Sequence, residues 1–68
     1  MDARTIESRL KELCNGAEMA TTPQIVKYTG ASPDWVKDYL RANGVKSVGK
    51  YQGLRWHIHD VAKALATQ

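Results

Sequence analysis

Residues 21–40 read TTPQIVKYTGASPDWVKDYL, two short helical patterns that are separated by a glycine-containing turn. In the pair Thr22-Pro23, the threonine suits a helix N-cap and the proline suits the first helical position, where a missing N–H costs nothing. Gly30 can adopt the left-handed conformation that ends this first helix. Ser32-Pro33 then repeats the same start signal for a second helix. We therefore predict two helices within 22–43 that share one tight turn.

The spacing of apolar residues indicates how these two helices meet. Apolar residues recur at intervals of three and four, so they can pack across the angle between the helices; they are Ile25, Val26, Val36, Tyr39 and Leu40. The opposite face of the second helix presents Asp34, Trp35, Lys37, Asp38 and Arg41. This spacing is that of a helix-turn-helix, a motif that holds its second helix in a DNA groove. The pattern therefore predicts duplex DNA as the partner.

Length and composition restrict the classes of protein that fit. A chain of 68 residues forms one domain, over 1–68, with a small core. No apolar run is long enough to span a membrane, and the N-terminus lacks the uninterrupted apolar segment of a signal peptide. Cys14 is the only cysteine, which excludes an internal disulfide and a cysteine-cluster zinc site. We expect a cytoplasmic protein, in the bacterial cytoplasm or nucleoid.

The net charge of +3 is concentrated in one part of the chain. Residues 1–26 carry three basic and four acidic residues, a net charge of −1. Residues 27–68 carry seven basic and three acidic residues, a net charge of +4. A concentrated basic surface favours phosphate binding. The basic part is also the part that contains the second motif helix, which favours the DNA-binding interpretation.

The segments around the motif complete the expected fold. A stripe of Ile6, Leu10, Leu13 and Cys14 predicts an amphipathic helix over 3–14. This stripe either covers the motif helices or pairs two copies of the chain, and the small core favours the first alternative. Residues 17–21 are predicted to be a connection in which Met19 points inward.

After the motif the apolar period changes from 3.6 to 2. Residues 45–58 predict a β-hairpin, with Leu54, Trp56 and Ile58 on the inner face and Arg55 and His57 on the outer face. Asp60 is placed to cap a closing helix over 60–66. The expected fold class is mostly α with a small β-hairpin (α+β). Its order is helix, helix-turn-helix, hairpin and short helix.

This order is that of a winged helix-turn-helix, in which the hairpin is the wing. Residues 19–65 resemble, more narrowly, the excisionase-like and MerR-type winged domains of phage and mobile-element proteins. The resemblance rests on three segments, TTPQIVKYTGAS, SPDWVKDYLRANGV and GLRWHIHDVAKAL. The third segment is the most specific, because an aromatic strand that runs straight into a capped helix is uncommon elsewhere.

The resemblance implies a sequence-specific DNA-binding protein without cofactor. Its expected role is a DNA-bending excisionase, that is a recombination directionality factor, or a small transcriptional regulator. A recombinase or further copies of the chain on DNA are the implied second partners. Related domains in phage terminase small subunits imply DNA packaging as an alternative. In the resembling families the wing lies along the DNA backbone or minor groove, which selects Lys46, Lys50, Tyr51, Gln52, Arg55 and His57 as contacts.

The exposed face of the second motif helix supplies further candidate contacts. Arg41 can bind guanine through two hydrogen bonds, and Lys37 can meet a phosphate. The alternative is a solvated face with ion pairs from Asp34 to Lys37 or from Asp38 to Arg41. The two aspartates are favoured as pairing partners, and an acceptor for a cytosine amino group is the other role open to them. Backbone amides at Thr22 can also bind a phosphate, because helix N-termini attract anions.

Trp35 lies outside the apolar positions that the core needs. It is expected to contact a deoxyribose or thymine methyl, to form a protein interface, or to fold back over the wing. A winged domain used only for protein interaction is therefore the rival to DNA binding.

His57 and His59 are two apart on the predicted strand, but zinc needs three or four protein ligands, so a metal site is not favoured. No membrane or small-molecule ligand is expected. An enzyme is not expected either, because the sequence contains no nucleophile with a supporting base and no phosphate-binding loop.

Overall fold

The computed structural model describes residues 2–49 and 53–67 and places four helices and three strands in them. In chain order these are α1 (Ala3–Leu13), β1 (Met19–Thr21), α2 (Thr22–Thr29), α3 (Pro33–Ala42), β2 (Ser47–Val48), β3 (Arg55–His57) and α4 (Ile58–Ala66). The strands form one antiparallel sheet in the order β1-β3-β2. The expected α+β class is confirmed. Within the described residues, every helix is too short to cross a membrane.

Local signals in the sequence set the ends of α1 and α3. The Thr5 N–H donates to the Asp2 carboxylate over 2.8 Å at the start of α1, and this hydrogen bond lowers the pKa of Asp2. The Trp35 N–H donates to the Ser32 hydroxyl over 3.2 Å at the start of α3. Gly30, with φ of +75°, forms the left-handed end of α2, as predicted.

The start of α2 differs from the prediction by one residue. Thr21, and not Thr22, is the N-cap, because Thr21 and Gln24 satisfy each other's backbone N–H groups in a capping box. Thr22 is the first residue of the helix, which moves Pro23 to the second position. The hydroxyl of Thr22 points inward and accepts a hydrogen bond from the indole N–H of Trp56 over 3.0 Å.

A strand replaces the connection that was predicted over 17–21. Met19–Thr21 forms β1, which pairs with β3 so that Ala20 lies opposite Trp56. Ala20 is fully buried, whereas Met19, which was expected to point inward, is half-buried. The strand forms because β3 supplies its hydrogen-bond partners, a long-range interaction that local sequence does not encode.

The hairpin is shorter than the predicted 45–58. Val45 lies outside β2 because its N–H donates to the Leu40 carbonyl over 2.9 Å and thereby closes the end of α3. At the other end α4 begins at Ile58, so Asp60 lies in its first turn and is not its cap. Ile58 is fully buried, and its N–H bonds to the carbonyl of Glu18. The closing helix therefore starts two residues earlier than predicted.

The core lies between the sheet and the four helices. Its largest fully buried side chains come from every layer and are Trp56, Leu10, Ile25, Leu40, Ile58, Val36 and Val61. The apolar stripe of α1 packs mainly against α4 and only partly against α2, which corrects the expectation that it covers the motif helices. Glu7 on α1 also lies 3.0 Å from His59 Nδ1 on α4 and 3.4 Å from Lys11 Nζ. The hydrogen bond with His59, and then that with Lys11, lower the pKa of Glu7.

We expect Gly49→Ala to destabilise the hairpin by about 1–3 kcal/mol. Gly49 has φ of +98°, and a Cβ added there would lie 2.6 Å from the carbonyl oxygen of Gly53. Both the conformation and the space at this position therefore require glycine. Urea unfolding measures the change. Gly53→Ala is the matched control, because a Cβ at Gly53 meets no atom of the described residues within 4 Å; an equal loss in both variants would contradict the prediction.

Candidate nucleic-acid interface

The exposed face of α3 carries two parallel stripes of charged side chains and, beside them, one tryptophan. Lys37 and Arg41 are one turn apart and form the groove stripe, which lines an open groove beside the hairpin. Asp34 and Asp38, also one turn apart, form the acidic stripe along the middle of the exposed face. Trp35 lies on the side of α3 away from the groove. The face that was predicted to be exposed is therefore organised by chemical type.

The groove lies between α3, the start of α2 and the hairpin. Its floor is largely apolar, and the cationic side chains that line it among the described residues both come from the groove stripe. The described lining consists of Thr22, Pro23, Val26, Pro33, Lys37, Arg41, Ser47, Gly49, Gly53 and Leu54. Sequence reasoning did not select Pro23, Val26, Pro33 or Leu54 for this surface. The interval of four between Pro33, Lys37 and Arg41 is a signal that would have placed these three on one side of α3.

The two cations of the groove stripe differ in their partners. Lys37 Nζ lies 3.8 Å from Asp34 Oδ1, and the Asp34 side chain is 94% exposed. An exposed pair of this kind contributes only about 0.3–0.5 kcal/mol. Arg41 forms no ion pair with residues 2–49 or 53–67, so the predicted Asp38 to Arg41 pair does not form. Among the described residues, no carboxylate therefore occupies the guanidinium of Arg41.

Trp35 stacks on Tyr39 of the same helix. The ring centroids are 4.7 Å apart with an interplanar angle of 8°, and Trp35 remains 40% exposed. The Tyr39 hydroxyl donates to the Ala64 carbonyl over 2.7 Å, and this hydrogen bond holds the Tyr39 ring in place. Trp35 also lines a cleft with Ile6 and Leu65, on the side of α3 away from the hairpin. Of the three alternatives for Trp35, folding back over the wing is therefore not observed among the described residues.

Arg55 and His57 lie away from the groove. Both are exposed, and they alternate with the buried Trp56 along β3, so they point to the outer face of the sheet. Arg55 lines a separate shallow cleft that includes Glu18 and Met19. The structure thus divides the predicted contacts between two surfaces. Lys37 and Arg41 share one of them, and Arg55 and His57 share the other.

The remaining predicted contacts have mixed outcomes. Lys46 is exposed just before β2. Lys50, Tyr51 and Gln52 lie outside the described residues. At Thr22 the helix N-terminus does line the groove, but few backbone donors are left there. Pro23 has no N–H, and the Gln24 N–H already bonds to Thr21.

The prediction that His57 and His59 lie on one strand is wrong. His59 belongs to α4, and its Nδ1 lies 3.0 Å from the Glu7 carboxylate. In the described part of the chain, no three histidine, cysteine, aspartate or glutamate side chains are grouped for metal binding.

Comparison with known proteins found no relative of this chain. No protein-family model matches the sequence, and neither a curated protein nor a solved structure matches the chain.

Proposed function

We propose that the chain is a winged helix-turn-helix domain that binds double-stranded DNA sequence-specifically. In this proposal α2 and α3 are the helix-turn-helix, α3 is the recognition helix, and the β2-β3 hairpin is the wing. The short turn between α2 and α3 and the antiparallel pairing of β3 with both other strands support the assignment. The observation that carries it is the open groove between α3 and the hairpin, with Lys37 and Arg41 along one side.

The groove suits the backbone of a DNA duplex. Two cations one helical turn apart can follow successive phosphates, while the apolar floor can accept deoxyribose. Arg41, which has no ion pair within the described residues, can alternatively reach a guanine edge. The net charge of +4 in residues 27–68 favours the approach of a polyanion.

The expected role is that of a small architectural or regulatory factor. The resemblance of residues 19–65 to excisionase-like and MerR-type domains supports an excisionase-like recombination directionality factor or a transcriptional regulator. A recombinase, or further copies of the chain on DNA, would then be the second partner. The DNA-recognition domain of a phage terminase small subunit is the alternative role. Each of these roles operates in the bacterial cytoplasm or nucleoid.

A protein-interaction module is the second candidate function, and Trp35 is the observation that favours it. Its indole is 40% exposed, is held by Tyr39, and borders a cleft with Ile6 and Leu65. Half-exposed aromatic side chains on rigid supports are common at the centres of protein interfaces. An interface of this type depends only weakly on ionic strength, which separates it from DNA binding.

We expect labelled duplex DNA to bind with a steep salt dependence. The measurement is fluorescence anisotropy between about 50 and about 200 mM salt, where each phosphate neutralised contributes about −0.9 to the slope of log K against log salt. Contacts from Lys37 and Arg41 together predict a slope of about −2 or steeper. Absence of binding at the lowest salt, by protein that circular dichroism shows to be folded, would contradict the proposal and favour the Trp35 interface.

A further inference from the structure

The acidic stripe of α3 needs a physical explanation if this helix enters a DNA groove. Asp34 and Asp38 are both exposed, and they lie between the cations of the groove stripe and the stacked Trp35. Carboxylates on this face repel phosphates, so they weaken binding unless they meet hydrogen-bond donors. On duplex DNA, the donors of the major groove are base amino groups.

The two carboxylates are not equivalent. Asp34 lies 3.8 Å from Lys37, which compensates part of its charge. Asp38 forms no ion pair with any of residues 2–49 or 53–67, although Arg41 is three positions further along the helix. Both members of the Asp38 and Arg41 couple are exposed. An acceptor group and a donor group that have no ion-pair partner among the described residues therefore lie side by side on the recognition face.

We propose that Asp38 determines specificity by accepting a hydrogen bond from the N4 amino group of a cytosine. This inference rests on the proposed DNA binding and adds the identity of the base at one position of the DNA sequence that the protein binds. Cytosine is favoured over adenine because adenine presents the acceptor N7 beside its amino group, and N7 would repel the second carboxylate oxygen. Arg41 next to it is suited to guanine O6 and N7. The couple therefore reads a G·C-containing step.

Binding-site selection from a randomised duplex pool tests this proposal. Wild-type protein is expected to select cytosine at one position by about fivefold or more. Asp38→Asn is expected to shift that position to adenine, because an asparagine amide can donate to N7 and accept from N6 at the same time. Asp34→Asn removes the same charge one turn away and is the matched control. It is expected to bind DNA more tightly, since Lys37 is freed, and to keep the cytosine preference.

Two results overturn the inference, and they can be told apart. If Asp38→Asn binds more tightly with unchanged base preferences, the carboxylate only repels phosphate, and the proposed DNA binding stands without this specificity. If the wild-type protein and both variants, shown to be folded, fail to bind any duplex at about 50 mM salt, the proposed function and the inference both fall.

Discussion

Trp56→Ala is expected to leave the domain largely unfolded at room temperature. Trp56 is fully buried at the centre of the sheet, opposite Ala20 on β1 and Ser47 on β2. Replacement of a buried tryptophan by alanine costs about 3–5 kcal/mol, through lost apolar burial and the cavity that remains. A core of this size rarely supplies more than about 3–5 kcal/mol in total. The loss is therefore comparable to the whole free energy of unfolding.

The hydrogen bond from Trp56 to Thr22 adds a second cost. In the alanine variant the Thr22 hydroxyl is buried without its donor, although this hydroxyl accepts at 3.0 Å in the wild-type fold. A buried polar group that loses its partner costs about 1–3 kcal/mol. Trp56→Phe retains most of the apolar volume and removes the hydrogen-bond donor. This variant should therefore fold, with its free energy of unfolding lowered by about 1–3 kcal/mol.

Urea unfolding followed by far-ultraviolet circular dichroism measures these differences without relying on tryptophan emission. Trp35→Ala is the matched control, because it removes the same side chain from an exposed position. Its loss is expected to stay well below that of Trp56→Ala, because Trp35 is 40% exposed and its stacking with Tyr39 contributes only about 0.5–1.5 kcal/mol beyond its partial burial. A Trp56→Ala protein that unfolds within about 1 kcal/mol of the wild type would contradict the central position of this indole.

Short-range signals allowed α3 to be predicted accurately from sequence. Ser32, Pro33 and the terminal Asn43-Gly44 are capping residues that act within a few positions of each helix end. The first motif helix was shifted by one residue because two adjacent threonines compete for the cap. Gln24 decides between them, since the capping box requires a glutamine or glutamate three residues after the cap.

Long-range pairing accounts for the elements that were missed. Met19–Thr21 has no periodic pattern of its own and becomes a strand only when β3 lies beside it. In the same way, the burial of Ile58 and its bond to the Glu18 carbonyl start α4 before the apparent cap at Asp60. These interactions join residues that are distant in sequence, so a local reading does not detect them.

Of the residues that line the groove, the sequence selected Thr22, Lys37 and Arg41 and not the apolar ones. The alternation of Arg55, Trp56 and His57 already indicated that the two polar residues point away from the apolar face. The apolar side of the hairpin also borders the groove that Lys37 and Arg41 line. This arrangement depends on how α3 packs beside the hairpin. Charge counting alone therefore grouped Arg55 with Lys37 and Arg41, although the fold places Arg55 on a different surface.

The double variant Lys37→Gln/Arg41→Gln is expected to lose most of the affinity for duplex DNA. Both side chains line the groove, and glutamine keeps much of their length while removing the charge. Loss of two phosphate or base contacts predicts binding about 30- to 100-fold weaker at about 50 mM salt. The salt slope should also become shallower by about 2, because two fewer counterions are released. Fluorescence anisotropy with the same labelled duplex measures both quantities.

Two single substitutions distinguish a groove contact from a general loss of charge. Arg4→Gln removes one positive charge from the exposed surface of α1, outside the groove, and should change affinity by less than about threefold. Arg55→Gln removes one positive charge from the outer face of the sheet and shows whether that second surface also contacts the duplex. If Arg4→Gln weakened binding as much as Arg41→Gln alone, net charge rather than the groove would govern the affinity. A strong effect of Arg41→Gln with little change in Arg4→Gln would instead place the DNA backbone between α3 and the hairpin.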